Sequence, residues 1–182
     1  MNTFLISDTH FGHVGCTQFL CDDGSKMRPF ESVEEMDEAM IANWNATVAP
    51  KDKVYHLGDV VINRKALKTL ERLNGDKVLI KGNHDIFRLN EYLKYFRDIR
   101  AYHVLDRMLL SHIPVHPDSK GRFRAQIHGH LHNRIVRKPD PNFYLENVMM
   151  PDEWYVNVCV EQINYTPVPF EEIRDRVAKN TC

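Results

Sequence analysis

Short apolar runs alternate with helix-period stretches along this chain. Five runs, at residues 3–7, 53–57, 77–81, 107–111 and 124–128, have the length of buried strands. Between them the period lengthens. Val33, Met36, Met40 and Trp44 mark one helical face, opened by Ser32-Val-Glu-Glu35, which predicts a capping box. Ala66, Leu67, Leu70 and Leu73 mark a second, with Asn63 as its cap and Asn74-Gly75 as its stop. Ile86, Leu89, Leu93 and Phe96 predict a third helix, and Phe170, Ile173 and Val177 a last one after Pro167 and Pro169. The runs at 99–105 and 107–111 lie too close for a helical crossover and predict an antiparallel pair, and 154–160 predicts a further strand. Residues 14–30 and 137–153 show no period and are expected to be surface loops, the first forming part of the mouth of any site beside it.

Each of the five runs stops at residues that bind metals. They are followed by Asp8-Thr-His10, Gly58-Asp59, Gly82-Asn83-His84-Asp85, His112 and Gly129-His130-Leu-His132. A strand that ends on a carboxylate or an imidazole sets that group on the carboxyl-end rim of its sheet, where α/β folds put their sites. Ten histidines stand among the 182 residues, and His10, His84, His112, His130 and His132 all fall in these segments. The net charge of −1, from 24 basic and 25 acidic side chains, argues against extended nucleic-acid binding on a broad basic face. It leaves room for a phosphate-bearing substrate, since bound divalent ions would be the largest local charges. No apolar stretch has the length of a membrane span, and the first run opens directly onto Asp8 and His10. The expectation is therefore one domain over residues 1–182, without leader or membrane segment, in the cytoplasm. Cys16, Cys21, Cys159 and Cys182 show no CxxC spacing and are expected to be four reduced thiols. Oligomeric state is not written in the sequence.

Residues two apart in an extended segment share a side, so Asp8 with His10, and His130 with His132, can each work as a pair on an ion. Asp59 stands alone after its strand, and its two carboxylate oxygens suit a bridge between two ions. A donor set of oxygen and nitrogen without Cys suits Mn²⁺, Fe or Zn²⁺, with Ni²⁺ also admitted, better than a Ca²⁺ cage. Two ions about 3.5–4 Å apart activate a bridging hydroxide and stabilise phosphoryl oxygens during in-line attack. The departing alkoxide then needs an acid. His84 fits that role, with Asp85 expected to orient its imidazole and keep it protonated.

Together these five motifs, in order from residue 8 to residue 132, resemble the calcineurin-like metallophosphoesterase superfamily. Ser7-Asp-Thr-His-Phe-Gly-His13, Arg28-Pro-Phe30, Tyr55-His-Leu-Gly-Asp59 and Asn157-Val-Cys-Val-Glu161 look like a compact bacterial and phage branch of it. The resemblance implies an α/β fold, a four-layer αββα sandwich of two mixed sheets flanked by helices, with a dimetal site at the carboxyl ends of the strands. It also implies that Asp8, His10, Asp59 and His132 hold one ion. Asp59, Asn83, His112 and His130 hold the other, and His84 is the catalytic histidine. Asn83, His84, His13 and Arg28 are the candidates for phosphate contact; plain exposure is weighed beside it for His13, and an ordinary surface position for Arg28. His56 and His128 are expected to be buried or to orient a neighbour, and His103 and His116 to be structural or exposed.

The function expected is metal-dependent hydrolysis of phosphate esters, with diesters preferred because no inserted domain closes over a small monoester. A nuclease or cyclic-nucleotide phosphodiesterase is the alternative. A non-catalytic metal-bound scaffold for protein binding is weaker, because such a scaffold has no need of both ligand shells and His84.

Overall fold

A computed structural model describes residues 1–143 and 147–179. The five predicted strands are present as β1 (Thr3–Ile6), β2 (Lys53–His56), β3 (Asp76–Ile80), β6 (Met108–Ser111) and β7 (Ala125–His128). They belong to two mixed sheets. In the first, β4 (Asp98–Arg100) and β11 (Val168–Pro169) complete the order β11-β1-β2-β3-β4, with only β11 antiparallel. In the second, β5 (Tyr102–Leu105) and β10 (Tyr155–Asn157) complete the order β10-β7-β6-β5, with only β5 antiparallel.

Alternation along the strands explains the layers. Leu5, Tyr55, Leu57, Val78 and Ile80 point one way and meet Met108, Leu110, Ala125, Ile127 and Val156 of the second sheet. Phe4, Ile6, Val54 and Leu79 point the other way, onto Met36, Met40 and Trp44 of α1 (Val33–Thr47) and onto Leu67 and Leu70. Strands covered on both faces read as continuous apolar runs. The last helix, α3 (Phe170–Lys179), buries Phe170, Ile173 and Val177 against the inter-sheet cluster. The far face of the second sheet is covered by the segment after β6. There Gln126 bonds the backbone of Ile113 and Val115, and Tyr155 donates to the carbonyl of Val115.

Several expectations are corrected. Ser32 caps α1 by accepting from the amide of Glu35, but the Glu35 carboxylate reaches Glu31 rather than closing the box on Ser32. The second helix is a 3₁₀ helix, Arg64–Arg72, though Asn63 caps it and Ala66, Leu67 and Leu70 face inward as predicted. The third helix shrinks to one turn, α2 (Leu89–Tyr92). Ile86, Leu89 and Leu93 are 68%, 51% and 51% exposed; Phe96 is buried as expected, and Tyr92 joins it in the core. The run at 99–105 is divided: its first part joins β3 in parallel as β4, and the rest pairs with β6 as β5 in the other sheet. Within residues 137–153, expected as loop, β8 (Arg137–Pro139) and β9 (Met149–Pro151) pair antiparallel; residues 144–146 of that expected loop, and Cys182, lie outside the described residues. Strand β11 had no sequence signal beyond its prolines. No described helix is long and apolar enough to cross a membrane, and Cys16, Cys21 and Cys159 form no disulfide.

His56 is buried as expected. Its ring stacks near Trp44, and its Nε2 lies 3.0 Å from Thr9 Oγ1. Because the Thr9 hydroxyl donates to the carbonyl of Val60, Nε2 carries the proton toward it. Burial, only partly opposed by Asp8 and Asp59, drops the imidazole pKa to about 3. An unfolded chain protonates this histidine near pH 6.5, whereas the folded one resists until about 3. Its contribution to stability is thus complete above pH 6.5 and lost as the pH falls towards 3, at about 1.4 kcal/mol per unit. In urea titrations from pH 7 to 4, His56→Gln, which can still donate to Thr9, is expected to show a flatter loss than the wild type. Parallel curves would remove His56 from the acid sensitivity.

Candidate metal centre

Parallel pairing sets the ends of β1, β2 and β3 level, with Ile6 opposite His56 and His56 opposite Leu79. The second sheet joins this rim where the amide of Ser7 donates to Val158 and the amide of Val160 donates to Ser7. All five motifs therefore converge on one edge. There the side chains form two triads, Asp8–His10–His132 and Asp59–His112–His130, whose ligand atoms within each triad lie within 4.8 Å of one another.

Asp59 stands between them. Its Oδ2 is 3.3 Å from His112 Nε2 and 3.8 Å from His10 Nε2, while its Oδ1 accepts from the amide of His84 at 2.8 Å. Asn83 Oδ1 lies 2.8 Å from His112 Nε2 and 3.0 Å from His130 Nδ1. In the other triad, Asp8 Oδ1 is 3.8 Å from both His10 Nε2 and His132 Nε2.

The donor chemistry fits divalent ions. Asp8 Oδ1 is fully buried and has no hydrogen-bond partner. A buried carboxylate oxygen left in that state is costly unless a cation satisfies it. Its 3.8 Å separations suit atoms sharing an ion at about 2.0–2.2 Å each. The imidazoles are turned for the same purpose. His112 Nδ1 faces the Leu57 carbonyl at 2.7 Å and His132 Nδ1 faces Glu161 Oε1 at 3.0 Å, which leaves both Nε2 lone pairs aimed inward. Burial pushes the Asp8 carboxyl up, but His10, His112, His132 and the Ser7 hydroxyl outweigh it and hold the group well below the usual carboxylate range. Burial likewise opposes protonation of His112 and His132. Asp59 and Asp8 around the first, and Glu161 beside the second, override it and raise both pKa values. The site attracts positive charge.

The backbone is bent to make this possible. Asp8, His10, Asp59, His130 and His132 all adopt positive φ, between 49° and 70°, a left-handed conformation that non-glycine residues rarely accept. Two glycines permit the close approach. A Cβ on Gly82 would sit 2.2 Å from Asp59 Oδ1, and one on Gly129 would sit 2.3 Å from Asp8 Oδ2. Asp85 clamps the turn by accepting from the amides of Gly82, Asp59 and Val60.

Those three bonds correct the role expected of Asp85. It is buried beneath the loop and makes no bond to His84. His84 itself is exposed, with its ring centroid 5.6 Å from that of His10. The His13 ring also lies near His10, at 5.9 Å, with Nδ1 3.2 Å from Cys16 Sγ. Arg28 is neither a surface residue nor open to phosphate. It is 0% exposed, and its guanidinium donates to Glu161 Oε1 (2.7 Å), the Asp8 carbonyl (2.6 Å) and the Thr9 carbonyl (2.9 Å). His128 is buried and bonded to its neighbour's carbonyl, His103 packs on Tyr55, and His116 is exposed.

Sequence reasoning missed Glu161 and Cys159. Glu161 joins Arg28 to His132, and Cys159 donates to Asp8 Oδ2 while accepting from the amide of His132. Only the string Asn157–Glu161, noted for its resemblance, pointed there. The Glu161 side chain is 3% exposed, so removing its arginine leaves a buried carboxylate with His132 as its remaining charged partner. Arg28→Met is expected to cost about 3–5 kcal/mol in urea unfolding, the usual penalty for breaking a buried pair from one side. Adding Glu161→Gln should recover part of it; no recovery would show that Arg28 acts through the Asp8 and Thr9 carbonyls instead.

The two facing sheets form a sandwich with paired histidine–carboxylate triads at their shared rim, two groups that could hold metal ions. This chain belongs to the calcineurin-like phosphoesterase superfamily, whose domain model matches residues 1–158. An uncharacterized protein of Methanocaldococcus jannaschii, MJ1445, is 38% identical to it over 188 residues, covering 97% of this chain and 91% of the relative. The crystal structure of AQ665 from Aquifex aeolicus, a protein of unknown function, shares the fold. It superposes with a TM-score of 0.64 at 24% identity, covering 96% of this chain and 98% of that one.

Proposed function

We propose that this protein is a two-metal phosphodiesterase. The observation that carries the reading is Asp59, whose single Oδ2 faces His112 of one triad and His10 of the other. Bound there, two divalent ions supply nucleophile activation and positive charge for the phosphoryl oxygens. The chain's own residues do the rest. Asp8, His10, His132, Asp59, Asn83, His112 and His130 hold the ions, and Asn83 and His84 face the bound phosphoryl group. His84, exposed and against His10, delivers the proton to the departing alkoxide.

Preference for diesters is supported by the shape around the centre. A cleft of about 520 Å³ opens beside Asn83 and His112, and another of about 290 Å³ opens beside His130 and His132. Each cleft borders ligands of the centre, so two ester arms of a phosphorus bound there would each have a cleft to enter. The deciding experiment compares kcat/KM for matched mono- and bis-aryl phosphates with Mn²⁺-loaded protein. A higher value for the diester is the expected result. A clear monoester preference would refute the diester reading while keeping the phosphoesterase one, and no turnover of either would favour the scaffold alternative.

A further inference from the structure

The larger of the two clefts has a composition that points to a particular substituent. It shares Asn83 and His112 with the metal centre, so a substituent of a group held there can extend into it. Its walls include Leu89 and Ile113, which are 51% and 53% exposed. Two large aliphatic side chains left in water within one cleft are matched by an apolar or flat ligand surface. The charge is one-sided: Lys81 and Arg100 line the cleft and no acidic side chain does. Arg100 is already engaged by Asp98 at 2.6 Å and by His103. Lys81 is exposed and has no carboxylate partner among the described residues, which leaves its ammonium available.

The position of His84 decides which ester arm belongs there. Its imidazole lies against His10 and takes no part in lining this cleft. An acid acts on the leaving oxygen, so the leaving arm sits on the His84 side and the cleft takes the other. We propose that this cleft binds the retained arm of the phosphodiester, a flat apolar group carrying a further negative charge. This rests on the diester reading above and adds the chemical class of the arm.

The test uses three p-nitrophenyl diesters whose second arm is methyl, 4-carbamoylphenyl or 4-carboxylatophenyl, with p-nitrophenolate leaving in each. In the Mn²⁺-loaded wild type, kcat/KM is expected to rise about tenfold from methyl to carbamoylphenyl, for the buried ring, and about threefold more for the carboxylate. Lys81→Gln should remove only the last factor. Ile113→Ser should lower both aryl substrates several-fold and leave the methyl ester unchanged. The arm's electronic effect on phosphorus is common to all variants, so the ratios isolate the cleft. Calorimetric binding of 4-carboxylatophenyl methylphosphonate, a slowly reacting mimic, should weaken in both variants.

Turnover of all three diesters with arm ratios and mimic binding identical in wild type and variants would overturn the cleft assignment and leave the diester reading standing. Failure of the wild type to hydrolyse any of them would overturn the diester reading, and the assignment with it.

Discussion

Asp59→Asn is expected to lose metal occupancy and turnover together, and to be among the most damaging single changes in the chain. The geometry makes the reason specific. Oδ1 accepts from the amide of His84, a duty an amide oxygen can take over. Oδ2 faces the Nε2 atoms of His112 and His10, and in Asn that position becomes an NH₂ group, which has no lone pair for an ion. Both triads thus lose a shared charged ligand, while the loop stays pinned by Asp85. Altering outer partners of a metal ligand already costs about 10–100-fold in affinity, and a bridging ligand should exceed that. Metal content after dialysis and kcat/KM, measured on the same preparation, check it. Two full ions and near-normal turnover would remove Asp59 from the bridging role.

The parts of this site that were legible in the sequence are those encoded locally. A four-residue apolar run followed by Asp, His or Gly-Asn-His states both the strand and what stands at its end, because parallel pairing brings such ends to one rim. What was not legible depends on contacts far apart in the chain. Arg28 and Glu161 are 133 residues apart; the string Arg28-Pro-Phe30 marked the arginine by resemblance, but its buried partners show only once both residues are folded behind Asp8. Asp85 misled for a related reason. Adjacency to His84 suggested a carboxylate–imidazole pair, but three free amides at the turn made a stronger claim on its oxygens. The third helix failed by competition. Ile86, Leu89, Leu93 and Phe96 have helical spacing, yet of these only Phe96 reaches the core; Phe87 and Tyr92 pack there beside it, and burying those larger rings leaves the three aliphatic side chains outside. One residue of that set, Leu89, then borders the larger cleft.

His84→Ala should separate chemistry from binding. The amide of His84 donates to Asp59 Oδ1 from the backbone, so truncating the side chain keeps the bond that holds the loop against the centre. Its imidazole lies near His10 without belonging to either triad, so both ions should remain bound at wild-type affinity. Turnover of a substrate with a poor leaving group is expected to fall by about 10²–10⁴-fold, the usual worth of a positioned acid. For p-nitrophenyl esters, whose leaving group departs as a stable anion, the defect should shrink. The slope of log kcat against leaving-group acidity should therefore steepen in the variant. Because Asp85 is committed to the turn amides, Asp85→Asn is expected to act differently. It weakens the clamp on the Gly82 loop and lowers turnover of good and poor leaving groups alike. If His84→Ala also shows an equal defect across leaving groups, its imidazole positions the phosphate rather than protonating the alkoxide, and the acid in this centre has to be sought elsewhere.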